Sequence, residues 1–476
     1  MRKIDELGLF WLHGHPEDRL SGRLRLDPTG GIDLALVGAF GHAQDLNGEP
    51  AERILGWLGT DRVTLDQAFL TFNSRPSSGV SETRYRVNRL FIGHQFEAGE
   101  LAFKTVRVAI SDLDSWVETS GITYHWNHES DRPDVSRLKY EMNFVPPQTE
   151  THLFSRGRLS IAYSWKEDGD PIHGIAFKQW PIIKIEYDEL QPFRVIQKDV
   201  GRIQSLVTLC IDERTTVDAL VLNRPDVRTR FLSGDDAGEQ AIEFLAPLLR
   251  YIDPAERKPR HRFEMLVGYK ELGGIAAIAR WLDASERFQR PLDSFMSTKH
   301  AGQMFTENRF LNVTFAAEAF HEVTQGSPYM EDAEFQALLE TYLANTPAMH
   351  HDWLLGKVQY GNEPPLRKRL HQLATRSAAA TRPIIGEKGR WAFIISRVRN
   401  ELTHLGSGSR SFDSRHLLSL TESVFAVVRI CMLLESGVSI ETLTKKADSA
   451  SRGWYQDRLG RTLQKIWANT RRSPQP

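Results

Sequence analysis

Cysteine is scarce in this sequence: the 476 residues include only Cys210 and Cys431, which lie far apart and among apolar neighbours. Such a pair does not indicate a disulfide framework or a zinc site, and we interpret both as small buried hydrophobic side chains. Sparse cysteine of this kind suits a reducing compartment. We therefore expect a cytoplasmic protein.

Long apolar runs are missing as well. No run reaches the roughly 18 apolar residues that a membrane span requires, and the best candidate, "VFAVVRICMLL", is interrupted by Arg429. The N-terminal stretch "MRKIDELGLFWLHGHPEDRL" has acidic residues where a signal peptide needs an apolar core. We expect neither a membrane span nor a cleaved leader.

The chain also lacks an excess of charge, because its formal net charge is −1. This balance excludes a global basic field, so any affinity for nucleic acid must come from local patches. No glycine-rich loop of the kind that cradles phosphates is present. The amino-acid composition is otherwise that of an ordinary folded protein, with 41% hydrophobic and 25% charged residues.

Up to about residue 230 the sequence has the periodicity of strands. "GRLRLDPTGGIDLALVGAF" alternates polar and apolar residues on both sides of a turn signal at residues 27–31. Later segments such as "YRVNRLFIGHQF" and "IIKIEYDE" repeat the alternation and are rich in β-branched and aromatic residues. The first half is therefore predicted to be a large, mostly antiparallel β domain, either a sandwich or a barrel.

From about residue 235 the apolar spacing changes to three and four, which predicts helices. We expect 287–302 to be a connector, because Pro291 breaks any helix there. The fold class is thus α+β, with a β domain followed by an all-α domain. The predicted helices cover about 237–252, 263–282, 302–325, 332–345, 364–380, 388–405 and 413–436, with a weaker one over 453–469.

The helix predicted over 388–405 ends in the polar stretch "RVRNELTHLG". On an ideal helix of about 100° per residue, its apolar residues from Trp391 to Leu405 form one stripe. Arg399, Asn400, Thr403 and His404 fall on the opposite side, where Asn400 and His404 lie one turn apart. Gly406 would end the helix, so the helix dipole would favour the charged imidazolium of His404.

A second arginine precedes a histidine at the same spacing, in "RLFIGH". Arg89 and His94 lie in a strand-like run, where an odd offset places two side chains on opposite faces. They could not act on one phosphate, so we interpret this pair as unrelated to function.

The context of "RNELTH" resembles the HEPN superfamily, whose signature is an arginine, often an asparagine, and a histidine a few residues later. "ENRFLNVTFAAEAFHEV" and "YGNEPPLRKRLHQLA" are similar to helices of the ApeA-type abortive-infection proteins, and residues 8–40 are similar to the start of the ApeA N-terminal domain. The resemblance implies an N-terminal ApeA-like domain over 1–290, β-rich to about 230, and a HEPN-type helical domain over 300–470.

The resemblance also implies a metal-independent RNA endonuclease in bacterial anti-phage defence, with transfer RNA as the first candidate substrate and a phage-derived trigger. It carries catalytic roles over to Arg399, His404 and Asn400, with Glu318 and Thr403 in support. Such proteins are generally dimers, so we expect a homodimer or a higher even oligomer. The chemistry needs no metal or other cofactor, since RNA supplies its own nucleophile, the 2′-hydroxyl.

Two basic segments are candidate RNA contacts: Arg397 beside the motif, and the run Arg367, Lys368 and Arg369. The C-terminal stretch from Lys445 to Arg472 is also basic, although its tryptophans are more easily explained by packing against the helices. Two alternatives stay open. The helical domain could be a catalytically silent scaffold that binds RNA or a protein, or the β domain could sense a ligand beside a merely architectural helical domain.

Overall fold

The computed structural model describes twelve segments of the chain and three isolated residues, 99, 233 and 258. Residues 28–30 of the predicted turn and residues 404–413, which include His404, lie outside the description. The described segments are 3–27, 31–41, 51–74, 79–97, 101–128, 138–170, 172–230, 235–247, 260–326, 328–403, 414–447 and 459–468.

The first six strands close into an antiparallel barrel in the order β6-β3-β2-β1-β4-β5, with β5 pairing back onto β6. Alternate side chains point inward and fill the barrel, so that Phe10, Leu34, Ile54 and Tyr85 are fully buried. Closure removes the free sheet edges. The strands are β1 Ile4–Leu12, β2 Leu20–Asp27, β3 Gly31–Val37, β4 Ala51–Leu58, β5 Asp61–Ser74 and β6 Glu82–Ile92.

Strand β6 also belongs to a second, open part of the same sheet, ordered β10-β11-β12-β7-β13-β16-β6. All its pairings are antiparallel, which confirms the predicted, mostly antiparallel, barrel-like β half. Two separate hairpins, β8–β9 and β14–β15, complete it. These strands are β7 Ala102–Ile110, β8 Ile122–His128, β9 Leu138–Phe144, β10 Glu150–Phe154, β11 Gly157–Asp170, β12 Gly174–Pro192, β13 Val217–Asn223, β14 Arg228–Arg230, β15 Asp236–Glu239 and β16 Ile242–Leu245.

Two predictions for the β half are wrong. A short helix α1 (Leu113–Val117) and a long helix α2 (Phe193–Ile211) interrupt the region that was assigned to strands. Helix α2 buries Phe193, Ile196, Val200 and further residues at helical spacing against the open sheet. Conversely, the helix expected from 237 onward contains β15 and β16, because the short apolar run "IEFL" completes the sheet between β13 and β6.

The second half is helical, as predicted, although several details differ. Helix α5 occupies the predicted connector, because Pro291 lies in its first turn, where no N–H donor is required. Helices α8 and α13 were not predicted, and the single helix predicted over 364–380 is divided into α9 and α10. The helices are α3 Tyr269–Leu272, α4 Gly274–Ser285, α5 Gln289–His300, α6 Thr306–Gln325, α7 Asp332–Ala344, α8 His351–Val358, α9 Leu366–Arg376, α10 Ala378–Ile385, α11 Lys388–Thr403, α12 Ser414–Leu434 and α13 Ile440–Ala447, with a further helix, α14, described over 459–468.

Helix α12 forms the centre of the helical half. It is long and apolar enough to cross a membrane, but 72% of its most apolar window is buried inside the protein. Length and composition alone do not separate a membrane span from a core helix, and this burial favours a core helix. Cys431 on α12 and Cys210 on α2 are both free and buried, as the sequence predicted.

The two halves share one continuous apolar core that runs from the open sheet through α2 and α4 into α12. Arg429 of α12 reaches across this junction. Its Nε donates to the carbonyl oxygen of Leu209 at 2.6 Å, and its Nη1 lies 2.9 Å from Asp212 Oδ2 at the C-terminal end of α2. The arginine that interrupts the apolar run therefore binds the last carbonyls of a helix in the other half.

Candidate functional site

Helix α11 positions the predicted site by burying the opposite face. Trp391, Ile394, Ile395 and Val398 are buried, and the Trp391 Nε1 donates to Ser423 Oγ of α12 at 2.9 Å. These four residues form the apolar stripe that the sequence predicted. The stripe fixes the rotation of α11, so its last turn presents Arg399 and Asn400 on the other side.

Arg399 lies half-buried between α11 and α6. Its Nη2 is 3.7 Å from Glu318 Oε2, and its Nη1 donates to Asn400 Oδ1 at 3.2 Å. The guanidinium also lies 5.5 Å from the ring centre of Phe315, one turn before Glu318 on α6. Three of the predicted residues, Arg399, Asn400 and Glu318, are thus brought together by two different helices.

The Nε of Arg399 is buried and has no hydrogen-bond partner among the described residues. Its ion pair with Glu318 is long, and both side chains keep more than a quarter of their surface exposed. The guanidinium is therefore held in place without having all its donors used. Such an arginine can still present a fork of N–H groups to a phosphate.

Thr403 is the last described residue of α11, and its hydroxyl bonds back to the helix. The Oγ1 donates to the carbonyl oxygens of Arg399 at 3.0 Å and of Asn400 at 3.1 Å. Both bonds join the Thr403 side chain to the backbone of the preceding turn. Thr403 supports the turn that carries the motif, and His404 is the next residue in the sequence.

A second, partly exposed face of α11 leads away from the motif and was not recognised from the sequence. Arg390, Phe393, Arg397 and Asn400 recur at spacings of three and four, which places them on one side of the helix. Arg367 of α9 lies over the Phe393 ring at 5.2 Å, while Arg397 is paired with Glu401 at 2.8 Å. We call these four α11 residues the basic stripe; their spacing was the signal that could have revealed it.

The run Arg367, Lys368 and Arg369 does not act as one patch. Arg367 and Lys368 are exposed, but Arg369 is 4% exposed and is bound to Glu322 at 3.2 Å and to Glu363 at 2.6 Å. Successive residues of a helix point in directions about 100° apart, so one of three adjacent cations turns inward. Arg369 is therefore structural, and the prediction that it contacts RNA is corrected.

Charge is divided unevenly along the helical half. The segment 331–363, which contains α7 and α8, has six acidic residues and one lysine, with Tyr342, Met349 and Trp353 exposed. The segment 366–403, from α9 to α11, has nine Lys or Arg and two Glu. A polyanion would be attracted to the second segment, which includes Arg399 and Asn400, and repelled by the first.

Arg89 and His94, the second arginine–histidine pair, are separated in the structure, as predicted. The reason is not only the alternation of faces along a strand. Strand β6 ends at Ile92, so His94 lies beyond it. Arg89 binds Asp66 at 3.3 Å and Gln197 at 3.2 Å, whereas the His94 ring packs against Phe96. Burial lowers the pKa of His94 below its usual value. Both residues are engaged in the structure of the β half.

Trp467 belongs to the basic C-terminal stretch that was a candidate RNA contact. Trp467 of α14 packs edge-on against Phe393, with ring centres 6.4 Å apart, and Arg390 lies over it at 5.3 Å. Packing therefore explains Trp467, while Trp454 and Tyr455 lie outside the described residues. Within the described part of the chain, no three His, Cys, Asp or Glu side chains cluster as metal ligands do.

Comparison with known protein families gives two matches. The model described as ApeA N-terminal domain 1 matches residues 5–281, and that described as Apea-like HEPN matches residues 311–442. The second match includes Glu318, Arg399, Asn400, Thr403 and His404. No curated protein and no solved structure matches the chain.

Proposed function

We propose that this chain, which belongs to the ApeA family and carries an ApeA-like HEPN domain, is a metal-independent RNA endonuclease. HEPN domains of this type belong to a nuclease family that acts in defence. The observation that carries the proposal is the meeting of Arg399, Asn400 and Glu318 at the end of α11, immediately before His404 in the sequence. Domain limits at 290 and 300 remain predictions.

The proposed reaction uses the 2′-hydroxyl of RNA as nucleophile. The 2′-oxygen attacks the adjacent phosphorus, the bond to the 5′-oxygen breaks, and the products are a 2′,3′-cyclic phosphate and a 5′-hydroxyl. His404 takes the proton from the 2′-hydroxyl or gives one to the leaving 5′-oxygen. Arg399 stabilises the charge that builds up on the phosphoryl oxygens, and Asn400 orients His404 or the phosphate.

Glu318 and Phe315 are assigned to positioning. Both contact the guanidinium of Arg399 from α6, and neither is needed as a proton carrier. A carboxylate on one side and a ring on another limit the rotation of the arginine, so less conformational entropy is lost when phosphate binds. The phosphate then competes with Glu318 for the same N–H groups.

The proposed assembly is a homodimer, or a higher even oligomer, joined through the helical half. One motif supplies few groups to a phosphate, and a two-fold axis brings a second His404 and Arg399 into the same cleft. A pair of histidines would provide both the base and the acid that the reaction needs. We further propose a cytoplasmic location, transfer RNA as the first substrate to test, and a phage-derived trigger.

The experiment is incubation of the purified protein with total cellular RNA in excess EDTA, followed by mapping of the new ends. Cleavage of a defined RNA class by the wild-type chain, but not by His404→Ala, supports the proposal. RNA that is bound but never cut would identify a silent scaffold instead. RNA that is neither bound nor cut would leave ligand sensing by the β half as the function to pursue.

A further inference from the structure

A cavity of about 670 Å³ lies between α10, the first half of α11 and α14. Sites for small molecules span roughly 300–1,000 Å³ and combine apolar walls with a few polar groups. This cavity has both features. Its apolar wall is formed by Ile384, Trp391, Ile394 and Leu463, and its polar rim by Arg382, Glu387, Arg390 and Gln464.

The rim offers two cations whose charge is available. Arg382 is exposed and has no ion-pair partner among the described residues. Arg390 is also exposed; it lies over the Trp467 ring and is 3.9 Å from Glu387, a long contact between two exposed groups. Exposed ion pairs of this kind contribute little to stability, so both guanidinium groups can turn to a ligand.

Among the described residues of the rim, the one carboxylate is Glu387, and the protein already uses it. Glu387 accepts N–H groups of Gly389 and Arg390, each at 2.7 Å, in the first turn of α11. The hydrogen bond from the Gly389 N–H is the main reason that the pKa of Glu387 is lowered. Its charge is therefore directed at the helix terminus, and the opening as a whole favours an anion.

The third wall depends on close approach of α14. A Cβ at Gly460 would lie 2.7 Å from the carbonyl oxygen of Pro383, so only glycine lets this helix lie against the end of α10. Gln464, one turn later, is exposed at the rim. Its amide can both donate and accept, as the edge of a nucleobase requires.

The cavity is connected to the motif by the basic stripe. Arg390 lies on the cavity rim and Asn400 in the motif, and ten residues of helix separate them by about 15 Å. Phe393, with Arg367 above it, and Arg397 occupy the interval. Single-stranded nucleic acid binds to surfaces on which cations alternate with aromatic rings.

We propose that this cavity is a nucleotide pocket, which takes a phosphate at Arg382 and Arg390 and the base against the apolar wall beside Gln464. The inference rests on the proposed ribonuclease function for its choice of ligand. The nucleotide can come from two sources: an unpaired position of the RNA substrate or a free mononucleotide. Lying beside the basic stripe, the pocket would select RNA that has an unpaired nucleotide near the cleavage site.

The test measures binding in a His404→Ala background, so that it does not depend on cleavage. A labelled single-stranded RNA 12-mer is titrated by fluorescence anisotropy, and the four mononucleotides and their nucleosides are titrated by calorimetry. Arg382→Glu and Arg390→Glu are compared with Lys357→Glu, an exposed reversal of equal charge on α8. Gln464→Ala adds a change that leaves the charge unaltered.

Weakening of RNA binding by about 10-fold or more in both arginine variants, but not in Lys357→Glu, supports the pocket with RNA as its source. Loss of mononucleotide binding alone, with nucleosides binding more weakly than nucleotides, supports the pocket with a free nucleotide as its source. If the arginine variants bind every ligand as Lys357→Glu does, the proposal is overturned. Failure to cleave RNA would refute only the ribonuclease function.

Discussion

The guanidinium of Arg399 on α11 lies 3.7 Å from the carboxylate of Glu318 on α6, so two helices far apart in sequence meet at the candidate site. This contact is partly exposed, and its contribution to stability is expected to be at most about 1 kcal/mol. Its importance is positional. The carboxylate holds the arginine where a phosphate would arrive.

Replacing Glu318 with Gln should therefore lower kcat by about 10-fold and change the melting temperature little, because a misplaced arginine stabilises the transition state less well. Steady-state kinetics and thermal unfolding would measure both effects. Glu340→Gln, on the acidic segment of α7, is the matched control and should leave both unchanged. A Glu318→Gln protein with full kcat would show that Arg399 needs no positioning.

Chelation should not stop cleavage. In the proposed reaction the 2′-hydroxyl attacks and side chains move the protons, so activity should persist in excess EDTA and leave a 2′,3′-cyclic phosphate or its opened product. DNA of the same sequence, which lacks that hydroxyl, should remain uncut. End-group analysis of both substrates is the measurement. Loss of activity on chelation, or equal cutting of DNA, would contradict the mechanism.

The active species should be a dimer or a multiple of one. Light scattering at the concentration of the cleavage assay should give an even multiple of the 54.3 kDa chain. Dilution that produces monomers should abolish cleavage, because each cleft would lose its second motif. A monomer that retains full activity would refute this part of the account.

Arg429 should couple the stability of the two halves. Arg429→Ala removes the buried guanidinium that binds the Leu209 carbonyl and Asp212 at the end of α2, which should cost about 2–3 kcal/mol. Because the core is continuous, wild-type unfolding should be a single transition that shifts to lower temperature in this variant. Arg415→Ala, on the exposed side of α12, is the control. Two separate transitions in the wild-type chain would contradict a shared core.

Local signals in the sequence identified the helical half and the faces of α11 correctly. The stripe from Trp391 to Val398 could be read because a helix repeats every few residues. The same periodicity is present in α2, whose buried Phe193, Ile196 and Val200 are spaced by three and four, so this helix could have been recognised inside the region predicted as strands.

Features that depend on distant contacts could not be read from the sequence. Two features of the sheet depend on strands that pair with distant parts of the sequence. They are the closure of the barrel by β5 on β6 and the insertion of β16 between β13 and β6. Burial of Arg369 depends on Glu322 and Glu363, which the folded chain brings to it. Phe315, beneath Arg399, is likewise recognisable only when α6 and α11 are seen together.

The most direct test of the central claim compares ribonuclease activity in three alanine variants at matched melting temperature: His404→Ala, Arg399→Ala and His94→Ala. The first two should lose about 10²-fold or more of the wild-type rate, because each side chain acts on the transition state. His94→Ala, from the arginine–histidine pair of the β half, should retain it. If all three variants keep full activity, or all three lose it together, "RNELTH" is not the active site.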